Sequence, residues 1–355
     1  MLLEGVFAPV TSPFYPDERV YFKKLEFNVA RISLTGLSGI VVLGSTGEAV
    51  SLDDEETREV LQVAAGAAAE DKVLIAGIAR ESVKATVALA ETAAVNQYDA
   101  VLVRNPGYYK PQLTPAALLH YFRTVADRSP LPVILYSIPR FTGAEIPLEV
   151  VEELAQHPNI IGLKESSGSV ERVRQVVQAT RLAPRRTVTV TPIFEAVTGR
   201  MLAAKPAAAG NFISAEGLAS GGDGGVALAV APPTPALKTR TREVGFQVLT
   251  GSASTLKESL DAGASGAVLA FAACAPQACH EIYIAWKEHD EQLALDRQNH
   301  ITEASNFIAS KLSIPGIKYA CDWNGYFGGR ARSPLLPLTS EDKAEIERLL
   351  SNIRN

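Results

Sequence analysis

Short apolar runs alternate with amphipathic stretches along most of the chain. Runs of four to six residues begin at Gly5, Gly39, Val73, Ala100, Val133, Ile160, Phe246 and Gly266. They are apolar throughout rather than alternating, the pattern of parallel strands buried on both faces. Between them, apolar positions recur at helical spacing over about 21–34, 82–96, 148–156, 170–179 and 254–262. Ser51 with Asp54 reads as a capped start for a helix running to about residue 69. Thr114-Pro115 supplies a cap and a first-turn proline for one running to about 128. Eight strands with intervening helices predict an α/β chain folded as a (β/α)8 TIM barrel over residues 1–275.

Two stretches break this alternation. Residues 182–241 are rich in Ala, Pro, Gly and Thr, with Gly221-Gly-Asp-Gly-Gly225 and Pro232-Pro-Thr-Pro235, and carry no sustained period. They read as an irregular insertion on the barrel's bottom face, tolerated because loop-closure cost grows only logarithmically with length. Residues 276–355 read as a C-terminal helical domain, with helices near 277–291, 293–311 and 340–352. Ile314-Pro-Gly-Ile317 and Trp323-Asn-Gly-Tyr-Phe-Gly-Gly329 are expected there as turns.

Composition narrows the function classes. The 355 residues are 47% hydrophobic and 21% charged, with a net charge of −5. Basic clusters do not interleave with aromatics, which argues against nucleic-acid partners. The sequence has no apolar run of about 18 residues, so no membrane span is expected. Its start runs straight into the first strand and leaves no room for a leader, so a cytoplasmic location is expected. Cys274, Cys279 and Cys321 are expected as buried thiols, and no metal site is read from the five histidines. His157 and His280 read as helix-end or packing residues.

Active sites of such barrels lie at the C-terminal ends of the strands. Standing there are Ser45 and Thr46, residues 105–109, Tyr136 and Lys164. Strand side chains alternate between faces. With Lys164 pointing inward, Ile160 and Gly162 are expected to do the same, and Ile161 and Leu163 to face the helices. Glu165 then points away from the amine. A buried amine without a neighbouring anion is driven towards its neutral form. Bringing a lysine from about 10.4 to roughly 7–8 takes about 4 kcal/mol of differential desolvation. Such an amine condenses with a ketone to give a Schiff base. Tyr136, one βα unit away, stands on the neighbouring strand, and Gly44-Ser-Thr-Gly47 offers backbone N–H groups to a carboxylate.

Gly44-Ser-Thr-Gly-Glu48, Tyr108-Tyr109, Leu135-Tyr-Ser-Ile-Pro139 with Thr142-Gly143, and Ile160-Ile-Gly-Leu-Lys-Glu-Ser-Ser-Gly168 together carry a resemblance. Outside the insertion, the chain resembles the dihydrodipicolinate synthase / N-acetylneuraminate lyase family of class I pyruvate aldolases. Gln156-His-Pro-Asn-Ile160, Phe246–Ala253 and Ile314–Gly329 look most like the family's 4-hydroxy-2-oxoglutarate aldolases. The resemblance implies that Lys164 forms the pyruvate imine and that Tyr136 is the general acid-base group. Thr46 would pass protons between Tyr136 and Tyr109 or Tyr108, supplied by a neighbouring subunit. Ser45 and Thr46 would bind the pyruvate carboxylate, with Ser166 and Val268 lining the site. A homo-oligomer, dimer or tetramer, and chemistry without metal or cofactor are implied in the same way.

One departure bears on the substrate. The family's dihydrodipicolinate synthases are expected to carry an arginine directly before Thr-Gly, where this chain has Phe141, with Arg140 one residue earlier. The expected reaction is cleavage of the small-molecule 2-oxo acid 4-hydroxy-2-oxoglutarate to pyruvate and glyoxylate, with Arg104 or Arg140 available for a second carboxylate. The alternatives are a 2-keto-3-deoxy sugar-acid aldolase, a dihydrodipicolinate synthase, or a non-catalytic pyruvate-binding barrel.

Overall fold

The computed structural model describes residues 1–203 and 237–353. Eight parallel strands close into a barrel: β1 (Gly5–Pro9), β2 (Gly39–Val42), β3 (Val73–Gly77), β4 (Ala100–Arg104), β5 (Val133–Ser137), β6 (Ile160–Glu165), β9 (Gln247–Thr250) and β10 (Gly266–Val268). Two further strands, β7 (Arg186–Val190) and β8 (Arg240–Val244), lie between β6 and β9 in sequence and pair outside the ring. Helices wrap the barrel, so each strand is buried on both faces, as its continuous apolar run requires. Phe7, Val41, Ile75, Leu102, Ile134 and Leu249 fill the interior, and a larger apolar layer lies between strands and helices.

The register of β6 departs from simple alternation. Val133 pairs with Ile160 but Ile134 pairs with Gly162, so Ile161 is an extra residue in a bulge. As a result Ile161 joins the interior cluster, while Ile160 faces the helices beside Leu163. This reverses the expectation for the two isoleucines. Above the bulge the alternation holds, and Lys164 pairs with Tyr136.

Four other local expectations are corrected. The helix Asp54–Ala67 is capped by Asp53 in a reciprocal box with Glu56, not by Ser51. Ile314-Pro-Gly-Ile317 is not a turn but the start of the helix Ser313–Trp323. Pro315 is tolerated there because first-turn N–H groups have no intrahelical acceptor. Gly316 is required because a Cβ would stand 2.7 Å from the Ile308 carbonyl oxygen. The helix Pro276–Lys287 packs on β1 as part of the barrel's own wall, and its Cys279 and Ile282 share the barrel's core.

Nor is the stretch 182–241 irregular throughout. β7 and β8 pair antiparallel from Arg186↔Val244 to Val190↔Arg240, while 204–236, including both Gly/Pro clusters, lie outside the described residues. Val188, Val190 and Val244 pack on Leu2. Arg186 donates to the carbonyls of His157 and Ile160, both at 2.8 Å, at the start of β6. The pair therefore covers the N-terminal end of the barrel, opposite the strand ends that carry candidate chemistry. All three cysteines are buried.

Candidate active site

Adjacent registered positions on β5 and β6 bring Tyr136 and Lys164 side by side, 5% and 6% exposed. The Lys164 amine lies 4.1 Å from the centroid of the Tyr136 ring. Among the described residues it has no carboxylate partner, since Glu165 turns to Arg172 and Glu48 pairs with Lys318. Glu165 is buried, and its Oε1 accepts the Ser167 N–H at 2.6 Å. Burial pushes its carboxyl above the ordinary range.

β2 ends in a tight turn over Ser45–Gly47 that closes through Gly47 N–H to Gly44 O and Glu48 N–H to Ser45 O. The N–H groups of Ser45 and Thr46 open this turn, where intrahelical acceptors are missing. Ser45 Oγ is 3.4 Å from the Tyr136 hydroxyl, and Thr46 is buried. Both residues line a cavity of about 270 Å³ with Tyr136, Lys164, Ser166 and Val268. Ser166 enters it because Gly251 has no side chain; a Cβ there would meet Ser166 Oγ at 1.9 Å. That hydroxyl is buried and lacks a hydrogen-bond partner among the described residues.

Six of the seven expected site residues thus meet in one cavity; Tyr109 does not. Tyr109 is 68% and Tyr108 79% exposed, and the rings pack edge to face at 5.1 Å. Their loop is held by Glu81, whose Oε2 accepts the Gly107 and Tyr108 N–H groups. Tyr108 lines a neighbouring cavity of about 670 Å³ that shares Ser45, Tyr136 and Phe141 with the first but does not reach Lys164. The smaller cavity holds the amine, and the larger adjoins it through these shared residues.

The two candidate arginines separate. Arg104 is occupied by Glu81 at 3.2 Å and by the Asn105 carbonyl. Arg140 stands at the mouth of the amine cavity, where Nη1 donates to the Ser310 carbonyl at 2.6 Å and the guanidinium lies over Phe141. His157 binds Asp127 and the Asn159 N–H, and His280 packs beside Gly36, both away from the cavity. Among the described residues no cluster of His, Cys, Asp or Glu could hold a metal ion. No helix among them is long and apolar enough to cross a membrane.

The roof of the cavity is not apparent from the sequence. Ser310, Ser313, Ile314 and Ile317, from the C-terminal helices, line it from above the amine. The apolar spacing of Ile314 and Ile317 carries their signal, but the Pro-Gly dipeptide between them reads as a turn.

The Dihydrodipicolinate synthetase family model matches residues 2–185 and 234–353, which leaves out most of the 182–241 stretch. The 4-hydroxy-tetrahydrodipicolinate synthase of Methanosarcina acetivorans is 37% identical over 180 residues, 50% of this chain and 60% of the relative. A protein of Emericella nidulans named "Probable 4-hydroxy-2-oxoglutarate aldolase, mitochondrial" is 37% identical over 181 residues, 50% of this chain and 59% of the relative. The chain thus spans about 60% of the length of the curated relatives it matches. Among solved structures, a dihydrodipicolinate synthase of Bacillus anthracis aligns over 100% of both chains with TM-score 0.77 at 20% identity. That of Aquifex aeolicus covers 98% of this chain and 97% of its own, with TM-score 0.76 at 22% identity. At such identities these two likenesses speak to the fold.

Proposed function

The chain belongs to the dihydrodipicolinate synthetase family, and from that premise we propose that it is a class I aldolase cleaving a pyruvate-derived 2-oxo acid through a Lys164 imine. The observation that carries this reading is the buried Lys164 amine, without a carboxylate partner among the described residues, in one cavity with Tyr136, Ser45 and Thr46. Lys164 Nζ attacks the C2 ketone, the new C–N bond forms, and the ketone oxygen leaves as water. Tyr136 takes the proton of the substrate's C4 hydroxyl as the C3–C4 bond breaks, and the bond's electron pair passes into the imine as an enamine. Protonation at C3 and hydrolysis then release pyruvate and free the amine. Ser45 and Thr46 N–H groups hold the pyruvate carboxylate, with the unpartnered Ser166 hydroxyl and Val268 completing the wall. Thr46 links Tyr136 to Tyr109 or Tyr108 of a second copy of the chain, a role that fits the exposure of both rings here.

The proposed substrate is 4-hydroxy-2-oxoglutarate, giving pyruvate and glyoxylate. Its support is Arg140 at the cavity mouth, bound to a carbonyl and, among the described residues, to no carboxylate, and so available to the second carboxyl group. Dihydrodipicolinate synthesis is the second reading, favoured by the names of most of the relatives found. The cytoplasm is the compartment we propose, on the strength of three buried thiols.

Borohydride reduction in the presence of pyruvate, followed by intact mass and peptide mapping, tests the reading. An adduct on Lys164, lost in Lys164→Ala together with turnover, is expected. Pyruvate binding without an adduct would leave a binding module instead. Pyruvate release across a panel of 2-oxo acids then identifies the substrate.

A further inference from the structure

Glu48 follows the Ser45–Gly47 turn in a left-handed conformation, φ +52°, and serves as the pivot between two successive turns. Its N–H donates to Ser45 O and its carbonyl accepts the Ser51 N–H. A non-glycine residue holds such a conformation only where its surroundings fix it. Here they do. The Glu48 side chain is 2% exposed, Oε2 accepts the Arg332 N–H at 2.9 Å, and Oε1 lies 2.5 Å from the Lys318 amine. Lys318 is itself 1% exposed in its side chain, donates to the Arg330 carbonyl at 2.6 Å, and lies 4.3 Å above the Phe14 ring.

Lys318 belongs to the helix Ser313–Trp323, whose Ser313, Ile314 and Ile317 roof the Lys164 cavity. One helix therefore touches the site twice, directly through its roof and remotely through Glu48.

We infer that Lys318 is a positioning residue: its ion pair with Glu48 sets the turn that presents Ser45 and Thr46 to the 2-oxo acid. The inference rests on the aldolase reading of Lys164, and it assigns pyruvate affinity in part to a side chain that touches neither substrate nor amine. Misplacing a binding group by about 1 Å from a distance costs up to about 100-fold.

The test measures half-saturating pyruvate by borohydride trapping, alongside kcat, KM and thermal denaturation. Lys318→Met leaves a buried carboxylate without its cation, and its loss of fold would be uninformative alone. Two further variants avoid this: Glu48→Gln combined with Lys318→Met, which removes both charges, and Glu48→Asp, which keeps both and shortens the acid by one methylene. In folded protein of either variant, half-saturating pyruvate and KM are expected to rise about 10- to 100-fold, with kcat falling much less. Native half-saturation in either folded variant overturns the inference, as does a loss of trapping that only tracks the fraction unfolded. Absence of a Lys164 adduct in the native chain would instead sink the aldolase reading and this inference with it.

Discussion

Replacing Tyr136 by phenylalanine removes one oxygen and leaves the ring that packs 4.1 Å from the Lys164 amine. The structure lets the two consequences be separated. Among the described residues the hydroxyl's hydrogen-bond contact is Ser45 Oγ at 3.4 Å, long for an O–H···O bond, whose usual length is about 2.7–2.8 Å. Losing it costs the fold less than about 1 kcal/mol. Losing a positioned acid-base group lowers turnover by about 10²–10⁴, or about 2.7–5.4 kcal/mol on the barrier at 1.36 kcal/mol per decade. Tyr136→Phe should therefore unfold within a few degrees of the native chain, still trap pyruvate on Lys164, and release pyruvate at least about 100-fold more slowly at saturation. A coupled pyruvate-release assay, trapping and calorimetry on one preparation give all three readings. Turnover within tenfold of native would remove Tyr136 from proton transfer. A large drop in melting temperature would reduce it to a packing residue.

Two further outcomes are expected. Arg140→Ala trades an exposed guanidinium bound to the Ser310 carbonyl for nothing; a surface charge pair is worth about 1 kcal/mol at most. kcat/KM for 4-hydroxy-2-oxoglutarate should fall about fivefold while substrates with an uncharged aldehyde portion are spared, and equal losses on both would refute the glyoxylate reading. Burial holds the Glu165 carboxyl above its ordinary value, so between the two values the folded chain binds more protons than the unfolded one. Native stability then falls as pH rises through that window, beginning near the ordinary value of about 4.3. Urea titrations across pH should show Glu165→Gln gaining on the native chain over the same range, and a flat difference would show that the carboxyl titrates normally.

Much of the barrel was legible because parallel strands buried on both faces leave a continuous apolar signal. The amine, the neighbouring tyrosine and the small hydroxyls were legible because barrel chemistry stands at strand ends. Several features were not, each for a physical reason. The bulge at Ile161 is silent because both residues it exchanges are isoleucine. Asp53 displaced Ser51 as a cap because Glu56 completes a reciprocal box with it, and two cap-forming residues so close cannot be ranked by type alone. β7 carries the alternation Arg-Thr-Val-Thr-Val, but the alanine- and proline-rich composition around it hid a two-residue period only five residues long. The Glu48–Lys318 pair left one trace, a lysine at a core position of an apolar helix stripe beside Ile314, Ile317 and Cys321. Nothing local named its partner.

Glu48 and Arg332 meet across 284 residues of sequence, so the entrance to the cavity is assembled from segments near opposite ends of the described chain. A truncation before residue 313 would spare all eight barrel strands and every candidate side chain drawn from them. It would still leave the amine unroofed and the Ser45–Gly47 turn without its anchor. The tail thus shapes the amine cavity as much as the strands do, and a homologue that replaced it would have to rebuild the mouth rather than simply lose an appendage.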